Sequence, residues 1–307
     1  GLMGDFGFDL GGTESNYQDV NFKINIPTKK MGTFSTFGVA GWSKNKAVKE
    51  FLPGIREFEV GYDNSVFGLS HQFNVNKKSY LKNTISFSQT KNTYSNYYSY
   101  ELYLPNDIVQ DTLKDFYQKD EKVLRINSDF HYKFNSRNKI VSGIKVNIPE
   151  LDLFTGSESN KVDYSSFNTD FKNSTVYLQA YSQWKHRFSN KLSLNSGLHF
   201  LLLTYNNKYS LEPRISLKWQ AHQNHLVTLG TGLHSKVEFL PVYMTAKSIK
   251  QQEPTTINRD LELTKSFHLA ASYTFTPIKN LSFKIEPYFQ YLFDVPQFTR
   301  LRKVQNN

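Results

Sequence analysis

The sequence predicts an all-β chain: an antiparallel, up-and-down transmembrane β-barrel, present in part, with about 12 strands within residues 1–307. Three observations predict it. Apolar and polar residues alternate over long segments. The connections between those segments alternate in length. No segment offers the helices that would cover an apolar sheet face as a second layer, so a membrane is left to cover it.

The segments that read as strands are, in order, Asp19–Pro27, Thr33–Ser43, Tyr62–Val75, Tyr80–Tyr97, Lys122–Asn135, Lys139–Ile148, Ser174–Phe188, Leu192–Tyr205, Tyr209–Gln220, His225–Ser235, Ser266–Thr276 and Leu281–Phe293. The period is clearest between Val176 and Phe188. One face carries Val176, Leu178, Ala180, Ser182, Trp184, His186 and Phe188. The other carries Tyr177, Gln179, Tyr181, Gln183, Lys185 and Arg187. A period of two means a strand with one apolar and one wet face. Farther on, Leu211, Pro213, Ile215, Leu217 and Trp219 oppose Glu212, Arg214, Ser216, Lys218 and Gln220. In the last segment Leu281, Phe283, Ile285, Pro287, Phe289 and Tyr291 oppose Ser282, Lys284, Glu286, Tyr288 and Gln290. Val176, Leu178, Trp184, Leu217, Trp219, Phe283, Ile285 and Phe289 are thus expected to face lipid. Glu212, Arg214, Lys218, Lys284 and Glu286 are expected to face the lumen, where they are the candidate ligand-binding residues. Inner faces this charged suit a wide barrel with a watery or plugged interior. Pro213 and Pro287 lie mid-strand, and each removes a ladder donor.

Short connections, rich in Asn, Lys, Ser, Gly and Pro, follow every other strand: Thr28–Gly32, Asn76–Ser79, Ser136–Asn138, Ser189–Lys191, Ala221–Asn224 and Pro277–Asn280. Such residues form tight hairpins. The alternate connections, Lys44–Gly61, Tyr98–Glu121, Leu151–Asn173 and Phe239–Lys265, read as long loops. Asn206–Lys208 alone breaks the rule. Short turns at one rim and long loops at the other are the pattern of an outer-membrane barrel.

The composition agrees. Aromatic residues make up 15%, matching the aromatic girdles of such barrels. Mean hydropathy is −0.53, and no run approaches the roughly 20 apolar residues of a membrane-spanning helix. There is no cysteine, which excludes disulfides, thiol catalysis and thiolate metal sites. The net charge is +10, but the basic residues are scattered along the chain without a block. They read as a solvated surface rather than a nucleic-acid site. Gly1–Asp9 has neither the basic start nor the apolar core of a signal peptide, and a piece of a longer protein is expected.

Several stretches resemble a known family. Ser210-Leu-Glu-Pro-Arg-Ile-Ser-Leu-Lys-Trp219, Gly230-Thr-Gly-Leu-His-Ser235, Leu240-Pro-Val-Tyr243, Lys265-Ser-Phe-His-Leu269 and Pro287-Tyr-Phe-Gln-Tyr-Leu-Phe-Asp-Val-Pro296 are similar to TonB-dependent outer-membrane receptors of the Bacteroidota type. Tyr17–Asn25 and Phe67–His71 fit the same pattern. The resemblance implies a barrel of about 22 strands around a globular plug. An inner-membrane energy transducer of the TonB type acts on that plug, and a surface lipoprotein is a possible partner. Neither plug, TonB box nor carboxypeptidase-like regulatory domain is recognised in residues 1–307, so a mid-barrel section is expected.

No chemistry competes with that reading. His222 and His225 flank a turn without the carboxylate or Cys that would complete a metal site. Asp107, Asp111, Asp115, Asp120 and Glu121 cluster in an expected loop and read as solvated. No cofactor, metal or catalytic residue is predicted. The function expected is energy-coupled uptake of a scarce large nutrient such as a siderophore, cobalamin or glycan, with no covalent step. A passive porin shares the alternation and the loop asymmetry and stands as the alternative. A soluble β-sandwich would have shorter strands, about 5–6 residues each.

Overall fold

A computed structural model describes residues 13–51, 54–104, 107–159, 169–244, 246–247, 255–256 and 258–297. The strands are β1 (Thr13–Thr28), β2 (Gly32–Phe51), β3 (Gly54–Asn76), β4 (Ser79–Leu104), β5 (Asp107–Lys133), β6 (Asn138–Ser159), β7 (Thr169–Ser174), β8 (Tyr177–Arg187), β9 (Leu192–Leu203), β10 (Lys208–His222) and β11 (His225–Lys236). A short helix α1 (Leu240–Met244) and a two-residue pair, β12 (Ala246–Lys247) with β13 (Thr255–Thr256), precede β14 (Thr264–Ile278), β15 (Leu281–Ile285) and β16 (Tyr288–Phe293). The main sheet runs β1-β2-β3-β4-β5-β6-β8-β9-β10-β11-β14-β15, with β7 also on β6 and β16 also on β14. Apart from the short β7, β12, β13 and β16, each strand therefore lies beside the next in sequence, as the meander requires, and the ladders β1–β2, β2–β3, β8–β9, β9–β10, β10–β11 and β11–β14 are antiparallel. Among the described residues the path does not close: it ends at β1 and at β15.

The two mid-strand prolines explain local departures. The last expected strand, Leu281–Phe293, is broken into β15 and β16 at Glu286 and Pro287, and both halves stay on β14. Pro287 has no N–H to give, but its carbonyl accepts from the amide of Ala271 at 3.0 Å, so the two halves keep one phase. Pro213 remains inside β10, and the ladder from β10 to β11 starts one residue later, at Arg214 opposite Gly232.

Three of the four expected long loops are instead hairpin arms. β2 continues to Phe51 and β3 starts at Gly54; β4 continues to Leu104 and β5 starts at Asp107; β6 continues to Ser159 and pairs with β7. The apolar period fades in these arms, and complementary polar pairs replace it. Lys44 meets Glu59 at 2.9 Å, Lys46 pairs with Glu57, and Ser15 donates to Asn45 at 2.5 Å. Opposite charges across a strand pair support a ladder as apolar neighbours do. The acidic cluster expected in a loop accordingly lies along β5. Asp115 accepts from Ser157 at 2.6 Å, Asp120 accepts from Gln89 at 2.9 Å, and Glu121 meets Lys119 at 2.7 Å. The side chains of Asp107 and Asp111 are outside the described set.

The described chain divides into two compact units. The first holds the described residues up to Phe73, with Lys82–Asn127 and those of Asn147–Val176. Here aromatic rings lie over glycines on the neighbouring strand: Phe22 opposite Gly38, and Phe37 opposite Gly68. A Cβ on either glycine would come within 2.3 Å of the ring. The second unit holds Asn74–Leu81, Ser128–Val146 and the described residues from Tyr177 on. At one end of this unit the long connection after β11 folds over the short β9–β10 turn. The Asn206 amide donates to the carbonyls of Arg259 and Leu261 at 2.9 and 3.0 Å, and Lys208 meets Glu262 at 2.5 Å. Leu201, Leu203, Leu240, Tyr243 and Leu263 are buried. The one short connection on the long-loop side thus makes room for its long neighbour.

Candidate functional site

Register sorts the side chains of the second unit onto two faces. One row across the sheet reads Trp184, Ser196, Ile215, Thr231, Leu269, Phe289. The next reads Leu194, Leu217, Leu229, Ala271, and the next Leu192, Trp219, Val227, Tyr273, Ile285. Leu178 opposes Leu202 and Phe283 opposes Phe275 in the same phase. These apolar side chains are open to the surroundings: Leu229 is 47%, Leu269 51% and Phe289 56% exposed. A continuous apolar face of this kind needs a non-aqueous neighbour. The other side chains expected to face lipid lie on it; Val176 precedes β8.

The polar set occupies the opposite face. Glu212 is paired across β9 with His199, and His199 in turn with Tyr181 of β8. Glu212 is fully buried, at 0% exposure. Arg214 Nη2 donates to its Oε2 at 2.5 Å, and the Ser235 hydroxyl donates to its Oε1. His199 Nδ1 lies 3.1 Å from Oε2 at an angle too poor for a hydrogen bond, so this contact is an ion pair only when the imidazole is protonated. A buried carboxylate is costly unless charged and hydrogen-bonding partners surround it, and here they do. The Arg214 stem rests on Gly232, where a Cβ would come within 2.9 Å of Arg214 Cγ. The opposite strand thus has to be bare at this rung, and the guanidinium is aimed by Glu212. The rings of His234 and His268 lie 4.6 Å apart, tilted at 52° to each other, on the same part of the face.

Beside Arg214 lies a depression of about 570 Å³ lined by Lys145, Gln179, Tyr181, Gln183, His199 and Arg214. Tyr181 donates to Asp129 Oδ1 at 2.6 Å, and Lys145 Nζ sits 5.3 Å over its ring. Gly143 permits this: a Cβ there would come within 2.7 Å of the ring. The depression therefore offers two cations and several amide and hydroxyl groups on a rigid sheet, suited to holding an anionic or polyhydroxylated group by hydrogen bonds.

The five sequence candidates do not form one constellation. Glu212 and Arg214 belong to this cluster. Lys218 is exposed four residues farther along β10, about 13 Å away at the strand rise. Lys284 and Glu286 pair with each other at 2.6 Å on β15 and just beyond it. The facing of Tyr181 to His199 was within reach of sequence reasoning, since the short β8–β9 turn sets that register, whereas the expected Asn206–Lys208 turn sets Glu212 opposite Leu202 and the ladder sets it opposite His199. His268 and Lys145 were not within reach, because long connections leave register undefined, and the register shift after Gln220 displaces His234 along β11. His222 and His225 close the β10–β11 turn, with His225 Nδ1 2.7 Å from the Tyr273 hydroxyl. Among the described residues no group of His and carboxylates is arranged to hold a metal ion.

Among solved structures the chain is similar to the RagAB peptide transporter, with a TM-score of 0.62 at 11% identity, over 91% of this chain and 40% of that one. It is similar to the ferric yersiniabactin uptake receptor FyuA from Yersinia pestis, with a TM-score of 0.64 at 7% identity, over 91% of this chain and 43% of that one. A third likeness, to the outer membrane transporter YddB from Escherichia coli, has a TM-score of 0.51 at 8% identity, over 87% of this chain and 45% of that one. No family model matches the chain, and no curated protein matches it. The fold is therefore that of an antiparallel up-and-down β-barrel of the outer-membrane type, present in part. The chain spans about two-fifths of the length of these proteins.

Proposed function

We propose that residues 1–307 are a barrel section of a TonB-dependent outer-membrane receptor that imports a scarce, large nutrient. The observation that carries this is the division of one barrel-type sheet into an exposed apolar face and a charged face with a buried, organised Glu212–Arg214 pair. A lipid-facing surface and a lumen that handles polar cargo require that division. In this reading the Arg214 face is the lumen. Cargo passes it without any covalent step, drawn by movement of a plug coupled to a TonB-type energy transducer. Peptides and ferric chelates, carried by the RagAB transporter and by FyuA, are the cargo classes to test first. A surface lipoprotein is the expected outer partner.

The test separates this from the passive porin. The intact protein is placed in planar bilayers and, in parallel, uptake is followed in cells with and without the proton gradient. A closed barrel with uptake that stops when the gradient is collapsed supports the receptor. A steady open conductance with gradient-independent uptake would establish the porin.

A further inference from the structure

The basic residues that look scattered in the sequence are gathered in space. In the second unit four of the five short turns on one side carry cations: Lys77 and Lys78 after β3, Arg137 and Lys139 after β5, Lys191 after β8, and Lys279 after β14, while the β10–β11 turn carries His222 instead. All six are exposed. The flanking sequence has no acid to neutralise them: residues 74–81, 130–146, 177–211, 213–237 and 264–285 contain neither Asp nor Glu. The exposed acids of this unit sit mostly at the other end of the strands. There Glu238, Glu262 and Asp294 pair with Lys236, Lys208 and Lys265.

Backbone bonds make the turns one continuous edge. The carbonyl of Lys78 accepts from the amide of Lys133 at 2.8 Å, and that of Arg137 from Arg187 at 2.8 Å. The carbonyl of Lys191 accepts from Gln220 at 2.7 Å, and that of Asn224 from Thr276 at 2.9 Å. Each turn is thus tied to the next hairpin, and successive turns stand about 10 Å apart, two strand spacings. Just inside this edge the apolar face carries exposed Phe134, Trp184, Phe188, Trp219, Ile278 and Phe283. Aromatic side chains at that level mark the membrane–water boundary, which sets the cations at headgroup height.

We propose that the short-turn edge of the second unit is a collar that binds the headgroups of anionic phospholipids in the adjoining leaflet. A soluble acidic protein would also meet the charge, but the aromatic and apolar band directly beneath the cations fits an acyl-chain boundary. The collar rests on the reading of the sheet as a membrane barrel and goes beyond it by naming the lipid class retained at one rim.

The experiment uses the intact protein in bilayer nanodiscs of phosphatidylcholine with a minority of phosphatidylglycerol, each bearing a spin label in turn. The wild type should associate with phosphatidylglycerol about fivefold more strongly than with phosphatidylcholine at low salt. The preference should fall as sodium chloride is raised. The variant K77Q/K78Q/R137Q/K139Q/K191Q/K279Q should bring it near parity, while K236Q/K265Q at the other end of the strands should leave it intact. No preference in the wild type, a preference insensitive to salt, or one that survives the sixfold substitution would overturn the collar. So would retention of polyglutamate on pure phosphatidylcholine discs without any preference for phosphatidylglycerol, the mark of an acidic polypeptide partner. Heat-modifiable migration reports insertion separately. A protein that inserts without lipid preference refutes the collar alone, whereas one that never inserts refutes the membrane reading with it. The salt titration needs no variant, so a poorly folding sixfold variant leaves the test intact.

Discussion

Replacing Leu217 by Arg should weaken insertion into a bilayer, while replacing its neighbour Lys218 by Arg should leave it almost unchanged. Leu217 lies on the apolar face between Leu194 and Leu229. It stands six residues from Gln223, where the β10–β11 turn begins. At about 3.3 Å per residue that is about 20 Å along the strand, and a tilt of about 40° reduces it to about 15 Å of depth. Half of an apolar band about 25 Å tall is about 12 Å, so Leu217 falls close to the bilayer midplane. A cation there costs about 2–4 kcal/mol, a factor of roughly thirty to a thousand in the folding equilibrium. Lys218 is exposed on the opposite face, which already accommodates a cation, and its substitution should change stability by less than about 0.5 kcal/mol. Equilibrium refolding of the intact protein from urea into lipid vesicles measures both. Equal costs, or the larger cost at Lys218, would mean that the two faces are interchanged or that no membrane meets this sheet.

Glu212→Ala should destabilise the barrel by about 1–3 kcal/mol, because it strands the Ser235 hydroxyl and releases Arg214. Glu212→Gln should recover part of this in the same urea titration. Gly68→Val should cost about 1–3 kcal/mol, since a Cβ there would collide with the Phe37 ring, and a second substitution Phe37→Ala should relieve some of it. The connection after β11 should loosen in acid. Burial pushes the Glu238 carboxyl up, but hydrogen bonds from Thr264 and Lys236 outweigh it and hold it below the usual range. Its contribution is therefore complete above the ordinary carboxylate pKa and fades as pH falls through the lowered value. Burial raises the Tyr243 phenol, so its contribution is complete below its ordinary pKa and is lost as pH climbs through the raised value. Amide exchange in α1, with exchange in β9 as the internal reference, should accelerate at both extremes; a flat profile would refute this assignment.

The faces of β8 to β15 were legible because every rung repeats one rule. Alternation places Leu217 and Lys218 on opposite sides whatever the neighbouring strands do. The hairpin arms beyond Ser43 and Tyr97 were not legible as strands. Their ladders are held by pairs such as Lys44 with Glu59, and such complementarity shows only when the two strands are set in register. The Glu212 site was half legible. Glu212 and Arg214 share a strand and a face, and the short β8–β9 turn sets Tyr181 opposite His199, but the β9–β10 ladder starts at Leu203 and Lys208 rather than beside a three-residue turn, a register shift after Gln220 displaces Ser235, and Lys145 arrives across a long connection. The basic edge was hidden for a related reason. Lys78, Arg137, Lys191 and Lys279 are far apart along the chain, and only the meander makes them neighbours.

The long β2–β3 hairpin also determines how its length can change. Phe51 stands opposite Gly54, Glu50 opposite Ile55, Lys49 opposite Arg56 and Val48 opposite Glu57. Excising Lys49 and Glu50 together with Ile55 and Arg56 removes two rungs, about 7 Å of projection, and leaves every pair from Val48 and Glu57 downward in place. Excising Lys49 alone would pull the remainder of one arm onto the wrong face. Insertions and deletions at this rim are therefore tolerated as matched sets, one from each arm. A lineage can lengthen, shorten or exchange such hairpins as cassettes while the rungs below stay fixed.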